Sequence, residues 1–124
     1  MPTADQHRVK VAGNRKFLAT IPLHDHPDWV VTVAFYTALH VVDQLRAALG
    51  HGHSRGHTDR RAYIQQHHPK IHPHYHILEN GSLLARYESN SDFFARYQPQ
   101  EITDDLLAVR LMSIENYARI CVAG

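Results

Sequence analysis

Val31, Phe35, Ala38, Val42, Leu45 and Leu49 recur at steps of four and three along one uninterrupted stretch of this chain. That spacing returns every side chain to one stripe of an α-helix and does not fit the two-residue alternation of a strand. The stretch therefore predicts a helix from about Pro27 to Leu49. A second line, Trp29, Val33, Tyr36 and His40, lies about 180° around the same helix. A helix covered on two sides belongs at the centre of a bundle, or between a bundle and a partner copy.

The flanking sequence reads as further helices. The first is expected over about Ala4 to Ile21, with Val11, Leu18 and Ile21 inward and Arg8, Lys10, Arg15 and Lys16 outward. Glycines close the second helix at residues 50–56, and a third helix is expected from His57 to His68, ahead of Pro69. A fourth, from about His74 to Tyr87, places Tyr75, Leu78, Ser82 and Ala85 on one line. Residues 88–91 read as a turn, with Ser91 or Asn90 as cap for a brief piece holding Phe93 and Phe94 and closed by Pro99. The last helix is expected to start after a Thr103 cap and to run to about Val122, with Leu107, Leu111, Ile114, Ala118 and Cys121 inward and Glu115 pairing with Arg119. The expectation is an all-α protein: one domain over residues 1–124, an up-down bundle of four to five helices.

A formal charge of +1 supplies no global field for polyanions, so any anion site must be local. Twelve histidines make the charge pH-dependent. The single cysteine, Cys121, forms no internal disulfide and reads as core. With neither a secretion-signal pattern nor an apolar run of about 18 residues, the chain is read as cytoplasmic, without a membrane partner. Phosphate-cradling glycine loops, dinucleotide fingerprints and nucleophile elbows are absent.

Three constellations carry candidate chemistry. In His57-Thr58-Asp59-Arg60-Arg61, followed by His67 and His68, arginine forks would hold a phosphate and a neutral histidine would take a proton from a 2′-hydroxyl. The structural alternative is a solvated basic face with Asp59 pairing to an arginine. Tyr36 and His40, with Asp43 one turn on, form the second, with Tyr36 or Asp43 available to orient His40; a satisfied core histidine is the alternative. Tyr75, Arg86 and Tyr87 on the fourth helix form the third, suited to a phosphate and a stacked base, unless Tyr87 packs on Leu83 and Arg86 pairs with Glu79. The His-x-His pairs lack a convergent ligand pattern and His-Glu-x-x-His is absent, so neither metal ligands nor cofactors are assigned.

The stretch Ala34-Phe35-Tyr36-Thr37-Ala38-Leu39-His40, the His57-Thr58-Asp59-Arg60-Arg61 helix start and Tyr75-x-x-Leu78-x-x-x-Ser82-x-x-Ala85-Arg86-Tyr87 resemble the HEPN superfamily of small helical-bundle domains over roughly residues 5–120. The resemblance implies dimerisation. In active members it also implies metal-independent endoribonuclease activity of a toxin or defence type, through Arg-x(4–6)-His, a spacing that Arg60 and Arg61 make with His67 and Arg61 with His68. In those nucleases the motif lies nearer the final helix, whereas no histidine follows His76 here. The leading expectation is a homodimer acting on RNA, with Arg60 and Arg61 on phosphate and His67, His57 or His40 as acid–base groups. The alternatives are a non-catalytic module holding RNA, a nucleotide or a partner protein such as an antitoxin, and a histidine-rich metal-binding protein.

Overall fold

A computed structural model describes residues 2–89, 92–93 and 96–123. Helix α1 spans Ala4–Leu18, α2 Pro27–Ala48, α3 His57–His67 and α4 His72–Tyr87. A fifth rod, α5, joins Pro99–Glu101, Ile102–Leu111 and Met112–Ala123 without a break. The protein is an all-α helical bundle. No helix among the described residues is long and apolar enough to cross a membrane.

Local chemistry sets the ends. Thr3 and Gln6 form a reciprocal capping box that starts α1. Pro27 starts α2, with Asp28 on its positive end. Gly50, Gly52 and Gly56 all take positive φ in the α2–α3 loop, so the chain reverses there at little steric cost.

Helix α2 is central, packing against α1, α4 and α5. Val31, Ala34, Phe35, Ala38, Val42 and Leu45 are wholly buried, and together with Tyr75, Leu78, Phe93, Ile102, Leu106, Leu111 and Ile114 they form one core. Gly81 lets α4 approach α2 closely, since a Cβ there would lie 3.1 Å from Val31 Cγ1.

Several boundaries differ from expectation. Helix α1 stops at Leu18, and α4 begins two residues early, at His72, with Pro73 in its first turn. Residues 90, 91 and 94, expected to cap and fill the brief piece, lie outside the described residues; Phe93 is buried. Pro99 opens α5 instead of only closing what precedes it, which places Thr103 inside the rod. Ile102–Leu111 is wound as a π-helix, and its buried Ile102, Leu106 and Leu111 step by four and five, matching i→i+5 bonding. Glu115 pairs across to Arg15 of α1, whose Nε donates to Oε2 at 3.0 Å, rather than to Arg119. This cross-helix bond ties the rod to α1.

Where α3 meets α5, histidine serves structure. Buried His68 bonds Tyr117 Oη through Nδ1 at 2.9 Å and Tyr63 Oη through Nε2 at 3.1 Å, and His51 Nδ1 lies 2.8 Å from the same Tyr63 Oη. Burial pushes the Tyr117 phenol up to about 12. Burial, then the neighbouring His67 and His51, pulls His68 below 6.5. The unfolded chain thus takes up this proton more readily than the folded one. The His68 contribution to stability is complete above pH ~6.5 and is lost as pH falls below it, by at most about 1.4 kcal/mol per pH unit. Urea midpoints measured from neutral to mildly acidic pH should fall, and His68→Gln should flatten that slope. An unchanged slope in the variant would contradict this role.

Candidate nucleic-acid groove

The expected Arg/His cluster is folded apart. Arg60, 7% exposed, reaches back from α3 to Asp43 of α2: Nε donates to Oδ1 at 2.9 Å and Nη2 to Oδ2 at 3.1 Å. Ser54 Oγ donates to the same Oδ1 at 2.7 Å. This bidentate pair occupies the arginine fork that a phosphate would need. Arg61 turns to buried Glu79 at 3.1 Å, and half-exposed His57 lies 3.9 Å from Glu79 and 3.4 Å from Arg60. His67 stacks on Tyr63 at 4.7 Å and approaches His51 at 4.9 Å between ring centroids. Asp59 does pair with an arginine: it accepts from the Arg55 backbone N–H at 2.9 Å and from Arg46 at 3.0 Å, and the Arg55 bond first, then Arg46, hold its carboxyl below the usual range.

The third constellation also disperses. Tyr75 is 1% exposed and packs edge-on against Phe35 at 5.5 Å, closed to any ligand. Its phenol is held well above its ordinary value by burial. Arg86 and Tyr87 stand exposed on the last turn of α4; Arg86 Nε donates to the Ser82 carbonyl at 3.4 Å rather than pairing with Glu79, and Tyr87 is 83% exposed.

The second constellation opens onto a surface feature. Lys10, Asn14 and Phe17 recur on one face of α1 and confront Trp29, Thr32, Val33, Tyr36 and His40 of α2. Shared lining residues extend this groove at both ends. Past Phe17 and Trp29 it runs to Ile21 and His26, and past Lys10 and His40 it widens into a hollow of about 500 Å³ with Pro2, Gln6 and His7. Phe17 and Trp29 are 54% and 56% exposed, a solvent-facing aromatic pair that core packing does not account for. The groove is the second line of α2, covered by α1 over only part of its length.

At the wide end His7 Nδ1 and His40 Nδ1 are 3.1 Å apart, with rings tilted by 38°. His7 therefore orients His40, while Tyr36 forms groove wall and Asp43 is engaged by Arg60. Burial lowers the pKa of both rings, so both are predominantly neutral at pH 7. His7 was not among the expected residues, although position 7 shares the inward face of Val11 and Leu18; this buried polar position on an apolar stripe was the available signal. Lys10 was read only as outward-facing and Phe17 was not singled out, because the α1 pattern does not show which part of α2 stands opposite them.

The molecule is thus a helical bundle with an aromatic groove ending on a histidine pair. No family model, curated protein or solved structure matches the chain.

Proposed function

We propose that this protein is an RNA-binding module that holds single-stranded RNA along the α1/α2 groove without cleaving it. The exposed Phe17–Trp29 pair, continuous with Tyr36 and Lys10, carries the reading. Flat rings open to solvent stack on bases of any sequence, each worth about 1–3 kcal/mol. Lys10 supplies a local cation for the phosphate chain, and Asn14 and Thr32 supply polar edges. This local charge agrees with a chain of net charge +1, and salt dependence should be shallow, with a slope of about −0.7 per phosphate contacted. The resemblance to HEPN domains points to the same ligand class. Engagement of Arg60 by Asp43 and of Arg61 by Glu79 favours binding over the arginine-dependent cleavage expected of active members.

Fluorescence anisotropy of a labelled single-stranded RNA in excess chelator tests the reading. Trp29→Ala and Phe17→Ala should each weaken binding about tenfold or more, with the RNA recovered intact. Affinity unchanged in both variants would overturn it. Metal-free cleavage abolished by His40→Ala would replace it with the endoribonuclease reading.

A further inference from the structure

We propose that His7, His40 and Asp43 form a binding site for one divalent transition-metal ion, of the class of Zn²⁺, Co²⁺ or Ni²⁺, opening into the hollow at the end of the groove. This goes beyond RNA binding and does not rest on it.

Among the described residues, these three bring one ligand atom each within 4.8 Å of one another. The chain places them by independent routes. His40 and Asp43 sit one turn apart on α2, and His7 faces them from α1. Two imidazole nitrogens bound tetrahedrally at ~2.05 Å from a zinc ion lie about 3.3 Å from each other. The Nδ1 atoms here are 3.1 Å apart, so a small shift converts the shared contact into two ligand bonds. Binding through Nδ1 requires both rings to carry their proton on Nε2, and neutral rings achieve this by a tautomer change without losing a proton.

Asp43 completes the set with an orientation already imposed. Arg60 and Ser54 fix its carboxylate through three hydrogen bonds, the outer support that metal sites rely on. Two nitrogens and one oxygen select borderline transition ions over Mg²⁺ and Ca²⁺, which prefer oxygen alone. His7 and His40 also line the hollow beside Gln6 and Lys10, which gives solvent access for a fourth ligand. Other close histidine pairs, such as the stacked His72 and His76, do not meet a third ligand in this way among the described residues.

The test is a titration of the chelator-stripped full chain with Co²⁺, read by its visible absorption bands, with no RNA present. The expected result is an intense tetrahedral spectrum saturating at one equivalent and displaced by Zn²⁺. His7→Gln and His40→Gln should each weaken the site at least about tenfold, while His76→Gln leaves it unchanged. Zn²⁺ should also raise the unfolding temperature of the unaltered chain but not that of either ligand variant. A purely octahedral spectrum, or a tetrahedral one persisting in both ligand variants, would overturn the proposal. Because the readout contains no RNA, either outcome leaves the groove reading to be decided by its own experiment.

Discussion

Asp43→Ala is expected to destabilise the protein by about 3–5 kcal/mol, because it strands a buried guanidinium. Arg60 is 7% exposed, and Asp43 accepts from both its Nε and its Nη2. In the variant that charge keeps its burial and loses its counter-ion, and Ser54 loses its acceptor as well. The cost is a property of the broken pair rather than of the pair's net worth. Replacing both partners by apolar residues of similar shape, as in Asp43→Leu with Arg60→Met, should restore much of the loss. Urea unfolding followed by circular dichroism distinguishes these cases. A single-variant loss below about 1 kcal/mol would mean that the Arg60 charge escapes to solvent.

Phe35→Ala is expected to cost a similar 3–5 kcal/mol, through lost burial and the cavity left behind. Phe35 is wholly buried at the middle of α2, and its ring meets Tyr75 at 5.5 Å, Tyr36 at 5.4 Å and His57 at 6.1 Å. It joins the apolar core to both the groove wall and the α3 polar cluster. Its loss should therefore loosen the His57 environment, seen as a change in that imidazole's NMR signals. Tyr36→Ala should be milder, since Tyr36 is only half-buried. Equal losses for the two substitutions would contradict the assignment of Phe35 to the core and Tyr36 to the groove.

The architecture was legible because α2 writes its packing into a four–three period, and the flanking helices have glycine or proline at their ends. The start of α5 was less so. A proline reads equally as an end or as a first turn, and the Ile102–Leu111 winding spaces apolar residues in a way an α-helical template misreads. Site residues were harder still. Arg60 and His67 return to nearly one face of α3 by spacing, yet Asp43 draws Arg60 inward while Tyr63 and His51 hold His67 elsewhere. Neither partner choice follows from local periodicity. His40 was visible as a histidine on an apolar line, but the group that holds it, His7, lies 33 positions away. Tertiary contact created that pair.

Trp29 is the chain's single tryptophan and stands in the groove, so its fluorescence reports directly on what the groove holds. Single-stranded RNA, titrated in excess chelator, is expected to quench Trp29 saturably, and Phe17→Ala is expected to weaken the titration about tenfold or more. A spectrum indifferent to RNA would contradict it, as would one that shifts with protein concentration alone as a second copy covers the face.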